Sequence, residues 1–187
     1  HTTDFLFEQF NEGKIKFTKE LDWKVTYHDP CHTGRHLIDF DVDEDGSKQW
    51  KGSYLGKSED NCLYDIPREM LKTIPGLDFV EMERIRSNSY CCGGGGGFLQ
   101  SGYKDERLAY GKIKDQQIQA TGATYCIAAC HNCHAQIEEL SEHYGGHYHV
   151  VHLWSLIALS LGVLGPNERT YLGPELQEVN MPELKEE

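Results

Sequence analysis

Hydrophobic and polar positions along this chain follow two rhythms, one of about two residues and one of about 3.6. From Asp4 to Phe10, the residues Phe5, Leu6 and Phe10 recur at helical spacing and predict a short amphipathic helix. Trp23-Lys24-Val25-Thr26-Tyr27 alternates like a strand and stops at His28-Asp29-Pro30-Cys31. Leu37 to Asn61 is polar, rich in Gly and Asp and without a period, which predicts an inserted surface loop or hairpin. Regular structure returns at Pro67-Arg68-Glu69-Met70-Leu71-Lys72, where Pro67 suits a first helical turn, and Ile74-Pro75-Gly76 breaks it. Leu77 to Met82 predicts a strand. Tyr103 to Ala120 predicts a helix, with Ala109, Ile113 and Ala120 on one side and Gly122 as its end. Thr124 to Ala128 reads as a short apolar strand, and Ala135 to His143 as a helix stopped by Gly145-Gly146. Tyr148 to His152 is the last predicted strand and Leu153 to Leu161 the last helix. Beyond Gly165, Pro166, Pro174 and Pro182 predict an extended, acidic tail to Glu187.

Strands alternating with helices in this way imply an α/β fold, a parallel sheet with flanking helices joined by right-handed crossovers. In open sheets of this kind, sites form beyond the carboxyl ends of the strands. Three groups of cysteines fall at such ends: Cys31, then Cys91 and Cys92, then Cys130 and Cys133. One cleft can therefore collect them. The expected organisation is a single domain over residues 1–164, interrupted by the 37–61 insertion and followed by the 165–187 tail. A length of 187 residues is too short for two comfortable domains.

Charge narrows the partners. A formal charge of −12 argues against a nucleic-acid surface, because phosphate contacts need clustered Lys and Arg. Much of the acid lies in Asp39 to Asp45 and in the tail, as solvated loops or an acidic docking surface. No apolar run approaches the roughly 18 residues of a membrane span. The chain begins at His1 with no initiator Met and no signal-peptide pattern, and is expected to be a segment of a longer protein. Seven cysteines fit a disulfide scaffold poorly, given the odd count, the adjacent pair and the Cys130-His131-Asn132-Cys133 spacing. Metal-bound thiolates in a reducing compartment fit better.

Two adjacent cysteines cannot easily serve one small tetrahedral ion, but they can serve two irons of a larger cluster. The run Gly93-Gly94-Gly95-Gly96-Gly97 that follows lets backbone approach such a group closely. Thiolates are soft ligands suited to iron–sulfur clusters, zinc and copper(I). Five of them are one more than a tetrahedral zinc or an ordinary cubane cluster requires. An unusual cluster, or a normal one beside a free thiol, would account for the excess.

At these residues the chain resembles a known family. The pattern Cys31…Cys91-Cys92-Gly93…Cys130-x-x-Cys133 is similar to the cysteine-rich "CCG" domain of heterodisulfide reductase catalytic subunits. The flanks Tyr27-His28-Asp29-Pro30-Cys31-His32-Thr33-Gly34-Arg35-His36, Pro67-Arg68-Glu69 and Asn88-Ser89-Tyr90 resemble the DsrK-like iron–sulfur subunit of the membrane complex tied to dissimilatory sulfite reduction. The resemblance implies a non-cubane [4Fe-4S] cluster held by Cys31, Cys91, Cys92, Cys130 and Cys133. It implies reduction of a disulfide or trisulfide on a small cysteine-bearing sulfur-carrier protein. The implied setting is the cytoplasmic face of a membrane complex with further subunits. Two other readings stay open: an electron relay like the iron–sulfur subunits of lactate or glycolate oxidases, and a structural zinc module for docking.

The gap from Cys31 to Cys91 exceeds the family's usual spacing, and Leu37 to Asn61 accounts for the excess. The chain has no ferredoxin-like cysteine run and no second paired-cysteine motif. Cys62 reads as an incidental thiol and Cys126 as a core residue, with support of the cluster as the alternative for Cys126. His32 and His131 flank proposed ligands and are candidates to donate to a cluster sulfur or to substrate. Arg35 is a candidate to stabilise a thiolate leaving group, or makes an ordinary ion pair. The glycine run lacks the Lys-Ser/Thr of a phosphate loop and does not match a dinucleotide fingerprint, so nucleotide binding is rejected.

Overall fold

The computed structural model describes residues 2–35, 40–42, 44–46, 48–50 and 63–164. In chain order its elements are α1 (Thr2–Asn11), β1 (Lys24–His28), an antiparallel pair β2 (Phe40–Val42) and β3 (Lys48–Trp50), α2 (Asp65–Thr73), β4 (Asp78–Phe79), α3 (Lys104–Thr121), β5 (Tyr125–Ala128), α4 (His131–Tyr144), β6 (His149–His152) and α5 (Leu153–Leu161). The β2–β3 pair lies inside the predicted insertion. The expectations for the rest of that insertion, for Cys62 and for the tail from Gly165 lie outside the described residues.

Four strands form one parallel sheet in the order β4-β1-β5-β6. The register is fixed by Val25 opposite Phe79 on one side and Tyr125 on the other, and by Tyr125 opposite His149. The chain leaves β1 for β4 on one flank, then crosses back to β5 on the other. The order therefore reverses at β1, and the loops leaving β1 and β5 diverge into a crevice at their carboxyl ends.

Strand alternation sorts the side chains between two cores. Val25, Tyr27, Ile127 and Val151 turn to the side of α2 and α5, where they pack with Met70, Leu71, Leu156 and Ile157. Cys126, Ala128 and Val150 turn to the opposite side and pack with Ile118 of α3 and Ile137 of α4. Cys92 and Cys133 belong to this second core, so the cysteine site grows out of the layer under α3 and α4.

Three elements depart from expectation. β4 covers only Asp78–Phe79, although the Val80 N–H still donates to the Val25 carbonyl at 2.9 Å. α4 begins at His131 rather than Ala135, with Cys130 as its first flanking residue. No Ser, Thr, Asp or Asn marks that start, because the residue at the capping position is a cysteine. α3 has the expected length, but the stripe of Ala109, Ile113 and Ala120 faces outward. Its buried face is Arg107, Leu108, Gly111, Lys114, Asp115 and Ile118. Partners decide that face: Arg107 bonds the Gln136 and Glu139 side chains of α4, and Asp115 accepts from the Tyr148 hydroxyl at 2.8 Å.

Candidate metal centre

Each cysteine group is delivered by the end of a strand, as the sequence suggests. Cys31 opens a single 3₁₀ turn, Cys31–Thr33, just past β1. Cys91 and Cys92 follow the turn Arg86–Asn88 beyond β4. Cys130 and Cys133 occupy the entry and first turn of α4, beyond β5. The Sγ atoms of Cys92 and Cys133 are 3.5 Å apart, and a ring nitrogen of His28 lies within 4.8 Å of both. Cys31 interacts electrostatically with Cys92 and Cys130, and Cys91 hydrogen-bonds Cys92. All five motif cysteines thus meet in one place, and all are free thiols. Three of the five, Cys31, Cys91 and Cys92, line a cavity of about 120 Å³ together with His28, Arg35 and Ser89.

The protons are unevenly shared. Cys92 collects donors from Cys133, Cys91, His28 and the Gly94 N–H at 3.5 Å, so its thiol lies far below the usual range despite its burial. The proton between Cys92 and Cys133 therefore sits on Cys133, which is pushed up by its bonds to Cys130 and Cys92. Cys130 is held down at about 5, first by the Cys133 thiol and then by the backbone N–H groups of Cys133 and Asn132 at the helix start. Cys91 is pushed up by donating to Cys92 and by burial, and Cys31 by burial and by the Cys92 charge. Two thiolates and three thiols, four of them hydrogen-bonded in a chain and Cys31 within electrostatic reach, form a soft, electron-rich donor set.

This donor set fits a thiolate-bound iron–sulfur group. The Gly93 N–H points at Cys91 Sγ, 3.3 Å away, as the Gly94 N–H does at Cys92. Backbone N–H bonds to ligand sulfur tune such groups. His28 Nδ1 is buried with no hydrogen-bond partner among the described residues. Cys126 also lies in this layer, pushed up to about 12 by burial, and behaves as a packed thiol of β5.

The glycines act differently from the sequence expectation. Gly93 has φ +97°, and a Cβ there would stand 2.5 Å from the Arg107 carbonyl oxygen of α3. A Cβ on Gly111 would stand 2.5 Å from the Cys92 carbonyl oxygen. Helix and cysteine loop lie back to back, and these glycines make the approach possible. Gly95, Gly96 and Gly97 border open space instead.

A buried ion network fixes the approach to Cys31. Arg68, 2% exposed, grips Asp29 with two parallel bonds of 2.7 Å and reaches Glu81 at 2.6 Å and the Tyr64 carbonyl at 2.5 Å. The second Asp29 oxygen also accepts the Arg86 N–H at 2.7 Å. Burial disfavours the guanidinium, but the two carboxylates outweigh it and raise its pKa. α2, β1 and β4 are joined through this one side chain, whose partner Asp29 lies two residues from Cys31. Leaving one member of such a network unpaired costs about 3–5 kcal/mol.

Of the flanking candidates, Arg35 donates to the Ser89 carbonyl at 2.6 Å and so ties the Cys31 loop to the segment entering the cysteine pair. His32 and His131 are both exposed at the rim. Sequence reasoning missed His28 and Arg68 as parts of the site. Strand parity was the signal for His28, since it shares with Thr26 the face opposite Val25 and Tyr27.

The chain matches the family model of the CCG cysteine-rich domain over residues 25–138, from β1 into α4, a span that holds all five motif cysteines. It is 31% identical over 163 residues to one of the subunits of the dihydromethanophenazine:CoB–CoM heterodisulfide reductase of Methanosarcina acetivorans, covering 87% of this chain and 34% of that protein. It is 36% identical over 133 residues to the probable iron–sulfur-binding oxidoreductase FadF of Bacillus subtilis, covering 68% of this chain and 16% of that protein. One of the subunits of the fumarate reductase (CoM/CoB) of Methanothermobacter marburgensis is 30% identical over 159 residues, covering 84% of this chain and 26% of its own length. The chain thus spans about a third, or less, of the curated relatives it matches. Its five cysteines, the parallel sheet that gathers them and the family pattern coincide: the chain belongs to the CCG cysteine-rich domain family.

Proposed function

We propose that residues 1–164 form the cluster-bearing domain of a heterodisulfide reductase-like iron–sulfur oxidoreductase. Its ligands are Cys31, Cys91, Cys92, Cys130 and Cys133, and the group they hold is a non-cubane [4Fe-4S] cluster. The observation that carries this reading is the convergence of five thiols from three loops beyond strand ends, three of them lining one cavity and the other two joined to Cys92 through Cys133. Relatives named as heterodisulfide reductase and iron–sulfur-binding oxidoreductase support it.

The reaction is reduction of a disulfide or trisulfide on a small cysteine-bearing protein in dissimilatory sulfur metabolism. Breaking one S–S bond consumes two electrons and two protons and releases two thiols from a disulfide, or a thiol and a persulfide from a trisulfide. When bound, the cluster supplies electrons and a Lewis-acidic iron for a substrate sulfur. The chain's own residues do the rest. Gly93 and Gly94 orient the sulfurs of the pair. Tyr90, Cys91, Gly93, Phe98, Tyr110 and Ile113 wall a largely apolar cleft of about 420 Å³ that leads to Cys91, the exposed member of the set. A partner's cysteine arm enters there. Among the described residues no helix is long and apolar enough to cross a membrane. Attachment to the cytoplasmic face of a membrane complex and the supply of electrons belong, in this reading, to parts of the complex beyond these residues.

A second reading has its own observation. His28, Cys92 and Cys133, with Cys130 bonded to Cys133, offer a Cys₃His set of the kind that holds structural zinc. Metal analysis and electron paramagnetic resonance of anaerobically purified protein separate the two. The cluster reading expects roughly four irons with matching sulfide per chain, loss of that iron in Cys92→Ser and its retention in Cys126→Ser. It also expects a signal that changes when the disulfide-bearing partner is added. A signal indifferent to the partner would leave an electron relay, and stoichiometric zinc without iron would overturn the cluster.

A further inference from the structure

α3 carries a lysine where a helix facing a core would ordinarily place Leu or Met. Lys114 is fully buried. Its Nζ donates to Gln117 Oε1 at 3.0 Å and Ser89 Oγ at 3.3 Å, and lies 3.6 Å from Met82 Sδ. None of these partners is a carboxylate. A buried ammonium is strongly disfavoured without an anion, and a neutral side chain of similar length would avoid that penalty. Burial accordingly lowers the pKa of Lys114.

Among the described residues, the acidic groups that act most strongly on Lys114 are Cys126 on β5, Asp29 beyond β1, and Cys92 and Cys91 in the loop beyond β4. Asp29 is already engaged by two Arg68 bonds and the Arg86 N–H. Cys126 stays a thiol at neutral pH, since burial pushes it up to about 12. What remains is the Cys91-Cys92 pair. Ser89 links the two physically: its hydroxyl receives the ammonium, and two residues later the chain reaches Cys91.

We propose that Lys114 is the buried counter-cation of the metal centre, a positioning residue that holds the entry to the cysteine pair through Ser89 and raises the reduction potential of the group bound there. The inference rests on the reading of the cysteines as cluster ligands. A fixed positive charge stabilises the reduced, more negative state of the centre over the oxidised one. Without the bound group, the Cys92 thiolate is the counter-charge left on that side, and the cost of burying the ammonium weighs against the fold. The two roles of one side chain therefore pull in opposite directions.

Lys114→Met, an unbranched neutral replacement, and Lys114→Gln, which keeps a hydrogen-bonding end, test this in the complete cluster-loaded protein. Redox titration followed by paramagnetic resonance should show normal iron content. At a fixed potential the reduced-to-oxidised ratio should be about tenfold lower in both variants, equal to a potential about 59 mV more negative for one electron. The metal-free Lys114→Met protein should melt at a higher temperature than the wild type. Iron-loaded variants with unmoved potentials would overturn it, and so would metal-free variants that melt lower or fail to fold, which mark an ordinary structural lysine. If the wild type itself takes up no iron, the ligand reading falls first and this inference falls with it.

Discussion

At the scale of single residues, the site is a competition for protons among five sulfurs. Cys130 is the accessible thiolate: half-buried, bonded by the Cys133 thiol and facing two backbone N–H groups at the start of α4. Its folded value of about 5 lies below that of a free thiol, so it stays charged from about pH 5 upward and is protonated only below that. Cys31 and Cys91 are shifted the other way. In protein stripped of metal, iodoacetamide should therefore label Cys130 first, at a rate nearly constant between about pH 6 and 8. Cys31 and Cys91 should react only as the pH rises into the alkaline range. Peptide mass spectrometry across pH reads this directly, and equal labelling of the three at about pH 6 would contradict the proton sharing. The cysteines themselves were legible in the chain because adjacent cysteines followed by glycine form a rare local pattern. For His28, strand parity gave the face but not the partner, because only folding brings Cys92 and Cys133 opposite it.

At the scale of elements, the relation of α3 to the cysteine loop decides whether the site can form. Gly111 sits in mid-helix, where alanine would ordinarily gain about 1 kcal/mol from propensity. Here an added methyl would stand 2.5 Å from the Cys92 carbonyl oxygen and 2.8 Å from both Leu140 methyl groups. The backbone oxygen belongs to the ligand loop and cannot retreat without moving Cys92. Overpacking costs of about 1–3 kcal/mol should therefore outweigh the gain. Gly111→Ala is expected to lower the melting temperature and reduce iron bound per chain, as checked by calorimetry and metal analysis. Helix length and the stop at Gly122 were readable from the sequence. The buried face was not, because Arg107, Lys114 and Asp115 face inward only by virtue of partners on other elements.

At the scale of the whole molecule, the sheet separates a core free of cysteines from one that holds four of them, which predicts that metal acts on one half of the molecule. Among the described residues, the core under α2 and α5 contains no cysteine, whereas the core under α3 and α4 includes Cys92, Cys126, Cys130 and Cys133. Removing the metal should leave like-charged sulfurs crowded in that second core and raise its local opening. Hydrogen exchange is expected to accelerate at Cys91 to Gly94 and in the first turn of α4 after chelation. Val25, Tyr27 and the amides of α5 should stay protected. Uniform acceleration over both halves would show that the sheet itself depends on the metal.

The sequence by itself determined the local and the additive. The order of strands and helices, the helix stops, the net charge that argues against a nucleic-acid surface and the five thiols of the motif are properties of short windows or of totals. They need no knowledge of which segments meet. Tertiary structure alone decided that β1 lies between β4 and β5, so that three loops open into one crevice. It also decided that His28 and Lys114 face the same layer as Cys92, and that Gly93 and Gly111 press two backbones together. Those facts depend on register and on contacts between residues far apart in the chain. A buried charge or a missing Cβ acquires its meaning only from the atom that folding brings opposite it.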